Sequence, residues 1–396
     1  AFLGNGGTDL FSLFDVFTGG AFSNATVMAM GVSPYINASI IVQLLTVAIP
    51  SLERLAKEGL EGRKKINKIT RYLGIVLAFI QGAGLYVTLY NMSVTNGLDA
   101  IKNPSVLTFF VIVLTFTAGT AFIIWLGELI TEKGLGNGVS LIIFAGIVSR
   151  IPSAAYGIYN QFLGAGVNAK GLIFVAAIIV VAIAAITFVV FFSEAERRIP
   201  VQYAKRVVGR KMYGGQSTNI PIKVAAGGVM PIIFASSICS LPATILMFIK
   251  EPSAAGFGKS FYNGVKNIFD TTSPVYIIIY FILIIAFAYF YIAISFNPVE
   301  VANNLKKNGG FIPGIRPGKP TSDYISKILS KITLIGAIFL GVIAIFPMIL
   351  NMISSDTFAG IAFGGSSLLI VVGVALETSR EIEAQMTMRH YKGFLE

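Results

Sequence analysis

Nine long apolar runs, each bounded by polar segments, leave this chain few ways to fold. They lie at 25–49, 72–92, 105–127, 139–160, 171–192, 225–248, 274–296, 333–350 and 358–376. A helix needs ~20 apolar residues to cross the hydrocarbon core of a bilayer, and most of the runs reach that length; the eighth and ninth stand near its lower limit. Inside lipid every backbone N–H and C=O must find its partner within the protein, so each run is expected to be helical. Charge content agrees. Asp, Glu, Lys and Arg make up 12% of the 396 residues, about half the share in a soluble globular chain. The expected fold is an all-α polytopic membrane protein.

Lys and Arg collect in the cytoplasmic segments of such proteins. Segments 51–71, 128–138, 193–224, 297–332 and 377–396 hold 24 of the 30 Lys and Arg, and the alternate segments hold 6. The first set is therefore expected inside, with a cytoplasmic C-terminus and residue 1 outside. A chain that starts on the outer side is expected to follow one earlier span, which makes these nine the second to tenth of ten.

Two short stretches echo each other inside this frame. Gly31-Val32-Ser33-Pro34-Tyr35-Ile36 and Gly228-Val229-Met230-Pro231-Ile232-Ile233 both read G-V-x-P-x-I, 197 residues apart. Downstream, Gly138-Val139-Ser140-Leu141-Ile142-Ile143 and Gly365-Ser366-Ser367-Leu368-Leu369-Ile370 both read G-x-S-L-x-I. Echo partners fall five spans apart, and an odd offset reverses the direction of crossing. Matched Gly/Pro-interrupted spans in two such halves point to a working site where the repeats meet. The chain divides accordingly into an outer segment at 1–24, an N-terminal half at 25–160, a C-terminal half at 161–376 and a tail at 377–396.

The chemistry-bearing residues exclude several classes. Cys239 is the one cysteine and His390 the one histidine, so no disulfide framework, CxxC redox motif or zinc site is expected. No G-x-x-x-x-G-K-[ST] phosphate loop is present, and any energy input must come from a partner. Span interiors are expected to be free of ionisable groups, with Glu128 and Glu377 at cytoplasmic ends, whereas proton relays and ion-coupled carriers place such groups inside. No catalytic, cofactor-binding or metal-ligating set is expected.

Two polar regions have more shape than topology demands. Thr8 to Phe17 sets Leu10, Phe11, Leu13, Phe14 and Phe17 at helical spacing, with Thr8 or Asp9 as N-cap and Gly19-Gly20 as stop. It is too short to cross a membrane and is expected either on the outer interface or tucked into the protein. On the inner side, 51–71 reads as a charged helix-turn-helix connector and 193–224 as a protruding hairpin. Pro313-Gly314-Ile315-Arg316-Pro317-Gly318 would hold the Arg316 side chain out on a rigid turn.

These residues resemble the SecY family, the central pore subunits of bacterial Sec protein translocases. The resemblance covers essentially the whole chain apart from the family's first span. It rests on Met30 to Ile36, Gln43-Leu44-Leu45-Thr46-Val47, Glu58-Gly59, Glu61-Gly62-Arg63-Lys64-Lys65, Gly134-Leu135-Gly136-Asn137-Gly138-Val139-Ser140, Ala235-Ser236-Ser237-Ile238, Pro313 to Gly318 and Gly364 to Ile370. Ser33 departs from the apolar residue of many bacterial relatives. The resemblance implies a protein-conducting channel with an aliphatic ring at its waist, matched here by Val32, Ile36, Val139, Ile143, Ile233 and Ile370. It makes the helix at 8–18 a plug and the spans at 25–49 and 72–92 one side of a lateral gate. The spans at 225–248 and 274–296 form the other side, and Asn37, Gln43, Ser236 and Ser237 line the gate. Arg210, Lys211 and Arg316 would dock SecA and the ribosome, with contact to ribosomal RNA, while SecE and SecG would be membrane partners. Signal peptides and nascent polypeptides would be the substrates and the bacterial inner membrane the location; no cofactor and no DNA are implied. The competing reading from another class is an inverted-repeat secondary transporter, and a scaffold without a pore is weaker still.

Overall fold

A computed structural model describes residues 18–21, 24–96, 101, 104–163, 169–203, 206–208, 211–213, 217–225, 227–246, 257–270, 273–353 and 365–392. The plug segment at 8–17 lies outside the described residues.

The fold is all-α with a small β element, and its helices repeat one packing scheme. In the N-terminal half α1 (Ser33–Ala48) packs on α3 (Leu60–Asn96), α3 on α4 (Val106–Lys133), and α4 on α5 (Gly138–Ser149). In the C-terminal half α8 (Met230–Leu246) packs on α10 (Pro274–Ser295), α10 on α12 (Lys319–Ile353), and α12 on α13 (Gly365–Lys392). The two series match helix for helix, which is the repeat that the echoes announce. Between them α6 (Ile151–Phe162) leads into α7 (Ala169–Glu194), which packs on α6 and α13. The halves touch where α1 and α3 meet α8 and where α5 meets α13.

Among the described residues, six helices are long and apolar enough to cross a membrane: Glu61–Tyr90, Val106–Lys133, Gly138–Asn160, Gly171–Glu194, Pro274–Lys307 and Lys319–Ile349. Only 6% of the apolar window of α7 is buried within the protein. Ile173, Val180 and Phe191 on that helix are exposed, a surface suited to lipid rather than water.

The apolar run at 25–49 is not one helix. Residues 27–32 form turns, α1 starts at Ser33, and α2 (Pro50–Lys57) turns away from it by 102°. Gly31 adopts φ +52 and Pro34 occupies the first turn of α1, so a helix can start here but cannot run through. The run at 225–248 likewise begins in turns, and α8 spans 17 residues. A second departure concerns Arg150, which sits between α5 and α6 inside the span Gly138–Asn160 rather than at its end.

The connector at 51–71 forms a tight elbow. α2 ends at Lys57, Gly59 turns with φ +79, and Gly62 at the start of α3 lies against the Leu55 carbonyl. Segment 193–224 forms the expected hairpin: β1 (Glu196–Tyr203) pairs antiparallel with β4 (Ser217–Lys223) from Glu196 opposite Lys223 to Gln202 opposite Ser217. A smaller ribbon, β2 (Arg206–Val208) with β3 (Lys211–Tyr213), extends its tip. β5 (Gly310–Phe311) follows α11 (Pro298–Lys307) and pairs with the far end of β1, Phe311 opposite Gln202 and Gly310 opposite Tyr203. Ile199, Val201 and Ile222 of the hairpin then share one core with Leu305, Ile312, Ile325 and Leu329 and with Ile292 of α10. Two loops that look independent in sequence thus form one platform.

Candidate pore constriction and lateral gate

The four echoed stretches build matching helix starts. Gly31 and Gly228 have φ +52 and +56, a left-handed conformation that glycine adopts at no steric cost. The Gly31 N–H donates to the Met28 carbonyl and the Gly228 N–H to the Ala225 carbonyl, each at 2.9 Å. One residue on, the Val32 carbonyl accepts from Tyr35 and Ile36 at 3.0 and 3.1 Å. The Val229 carbonyl accepts from Ile232 and Ile233 at 3.1 and 3.2 Å. Pro34 and Pro231 each stand in a first turn, where a missing N–H goes unused. At the second pair, Asn137 caps α5 by accepting from the Val139 and Ser140 N–H groups at 3.1 and 3.3 Å, while the Gly138 N–H donates to Thr131 Oγ1 at 2.9 Å.

These starts converge. Ile143, Ile147, Ile233, Ile370 and Val374 form one buried cluster, with Ile36, Val139, Val229, Met230, Leu141, Phe144 and Val371 packed against it. Five of the six residues read as a ring from the sequence, Ile36, Val139, Ile143, Ile233 and Ile370, therefore meet. Val32 is buried but is not among the residues of that cluster; its echo Val229 is. Ile147 and Val374 are additions, each four residues past an echo-ending isoleucine. The signal was available, because positions four apart share a helix face. The cluster is contributed by α1, α5, α8 and α13, so it closes across the contact between the halves.

Beside it, α1 and α3 face α8. Asn37 and Ser236 are buried and Gln43 and Ser237 half-buried. The Ser236 hydroxyl donates to the Ile233 carbonyl at 2.9 Å, and the Gln43 carbonyl accepts from Thr46 Oγ1 at 2.6 Å. Gln81 of α3 is a further buried polar group within an apolar run.

Beside the platform of β1, β4 and β5, Arg316 is exposed, between Gly314 at φ +81 and Gly318 at φ +105. Its carbonyl accepts from Thr321 Oγ1 at 2.9 Å, which ties the turn to the start of α12. Arg210 lies outside the described residues, and Lys211 opens β3. No group of three or more His, Cys, Asp or Glu able to hold a metal occurs among the described residues.

A family profile described as SecY matches residues 26–379. The chain belongs to the SecY family. The Protein translocase subunit SecY of Streptomyces scabiei is 48% identical over 391 residues, covering 98% of this chain and 87% of that protein. The Protein translocase subunit SecY of Mycobacterium tuberculosis (strain ATCC 25618 / H37Rv) gives the same figures. Among solved structures, one described as the structure of a protein conducting channel superimposes with TM-score 0.59 at 17% identity, over 94% of this chain and 84% of that one. A structure concerning the plug domain of the SecY protein gives TM-score 0.60 at 18% identity, over 91% and 83%. Sec61 in the canine ribosome-channel complex gives 0.55 at 16%, over 94% and 84%. The SecY-type fold therefore accounts for the pairing of the two halves, and an inverted-repeat carrier is not favoured.

Proposed function

We propose that this chain is the pore-forming subunit of a protein-conducting translocation channel. Unfolded polypeptides pass through the waist, and apolar segments leave sideways between α1–α3 and α8–α10. One observation carries the reading: the starts of four helices from two inverted halves converge on a purely apolar cluster, Ile36, Val139, Ile143, Ile233 and Ile370, at the seam between those halves. An apolar constriction blocks ions by expelling water, yet aliphatic side chains yield around an extended chain. A segment released through the gate enters lipid by its own hydrophobicity.

The finer parts of the proposal follow the charge pattern and the family. The channel sits in the bacterial inner membrane with its C-terminus in the cytoplasm. SecE and SecG accompany it in the bilayer. SecA and the ribosome dock on the platform of β1, β4 and β5, where Arg316 presents its guanidinium, and ribosomal RNA phosphate is one group it can grip. Residues 8–18 form the plug. Deletion of 8–18, followed by ion-flux measurement in substrate-free proteoliposomes, tests the central claim. A plugged channel leaks after the deletion; wild-type flux would overturn it.

A further inference from the structure

In both halves, the turn that leads into the pore-lining helix rests on a glycine of another helix in that half. The Val27 carbonyl lies over Gly119 of α4, and the Val224 carbonyl lies over Gly336 of α12. A methyl group added at Gly119 would fall on that carbonyl oxygen, 2.9 Å from the carbonyl carbon; at Gly336 the corresponding carbon is 3.2 Å away. Val27 and Val224 stand 197 residues apart, the offset of Gly31 and Gly228, and each precedes its glycine by four residues. The seat is thus part of the repeat and occurs once in each half. Both seat glycines are buried, in helices that pack on the gate helices α3 and α10.

From each seat a hydrogen-bonded path runs to the constriction. In the N-terminal half it passes through Gly31 N–H to Met28 carbonyl and Ile36 N–H to Val32 carbonyl. In the C-terminal half it passes through Gly228 N–H to Ala225 carbonyl and Ile233 N–H to Val229 carbonyl. Ile36 and Ile233 stand five residues past Gly31 and Gly228, and bring one isoleucine from each half to the apolar cluster. What meets an added methyl at either seat is backbone, which cannot swing aside as a side chain would, so the whole turn must move.

We propose that Gly119 and Gly336 are positioning residues of the closed channel: through the carbonyls of Val27 and Val224 they set where Ile36 and Ile233 enter the constriction. The inference rests on the channel reading above. The test reconstitutes full-length Gly119→Ala and Gly336→Ala proteins and measures resting ion flux without substrate, beside abundance and Tm. Ile233→Gly serves as the leaky reference, and Gly157→Ala, where an added methyl meets nothing within 4 Å, serves as the neutral one. We expect several-fold higher resting flux for each seat variant at near-normal abundance, with Gly157→Ala tight. If Ile233→Gly leaks while both seat variants stay sealed, the positioning role is overturned and the channel stands; if none leaks, the channel reading falls with it. Should the seat variants fail to accumulate, the path from the seat is tested at Gly228, where an added methyl also meets nothing within 4 Å and only φ +56 constrains the residue. Asparagine visits that conformation and β-branched residues do not. Gly228→Val should then leak and Gly228→Asn remain tight, and equal sealing by both overturns the inference.

Discussion

Replacing Ile233 by alanine probes the seal directly. Ile233 is 8% exposed and packs in the cluster with Ile143 and Ile147 of the opposite half and with Ile370 and Val374 of its own. The substitution removes three carbons. At about 0.8 kcal/mol per buried CH₂ the closed arrangement loses about 2.4 kcal/mol. An energy of about 1.4 kcal/mol corresponds to tenfold, so the ratio of sealed to leaking channels should fall about 50-fold. The share of that loss made with Ile143 and Ile147 of α5 falls on the closed state, because those partners are reached only when the halves meet, so the full figure is an upper limit. Single-channel recording in planar bilayers, without substrate or partner, reads this as a rise in open probability. Ile278→Ala provides the contrast: the chemistry is identical, but Ile278 is 59% exposed on α10 and loses no packing at the seam. Equal open probabilities for wild type, Ile278→Ala and Ile233→Ala at matched abundance would refute the argument that this cluster is the barrier.

Arg316→Glu should impair SecA-driven translocation in inverted vesicles while abundance and resting flux stay normal, since a desolvated interface charge is worth about 2–5 kcal/mol; normal translocation would remove the docking role. Arg71 on α3 holds Glu128 on α4 through two contacts, its Nε donating to Oε1 at 2.8 Å and its terminal nitrogen reaching Oε2. With Arg71 47% and Glu128 21% exposed, solvent screening holds this pair to about 1 kcal/mol. Glu128→Gln should therefore lower the Tm of the purified protein by only a few degrees, and a loss of folding would show that the pair carries more than its exposure allows.

Much of the architecture is written in one-dimensional signals. Apolar length and the 24-to-6 division of basic residues mark a polytopic chain, and Gly and Pro at matched positions mark the repeat, because both act on their own backbone. Signals of that kind do not report what packs against them. Val32 and Val229 are identical in the echo, yet only Val229 joins the cluster, its side chain lying against Gly373 of α13. Gly119 and Gly336 sit in unremarkable helical sequence; their role depends on a carbonyl about a hundred residues away. The run at 25–49 looks continuous by hydropathy, but Gly31 breaks it. β5 spans two residues, too few for any alternation of polar and apolar positions, and its pairing with β1 could be learned only from the folded chain.

That pairing also has a temporal side. Phe311 lies 109 residues after Gln202 in the chain. At a synthesis rate of about 5–20 residues per second, β1 emerges about 5–20 seconds before the strand that completes its sheet. During that interval α8 and α10 must enter the membrane in turn, with α9 (Phe257–Ile268) made between them. Only 13 residues separate β4 from β1, so β4 can close on one edge of β1 early, but the other edge stays open for pairing with any extended chain nearby. The platform cannot be finished before α8 and α10, the second side of the gate, have been made, so a ribosome or motor that needs all three strands meets them only on a chain that already holds both sides of the gate.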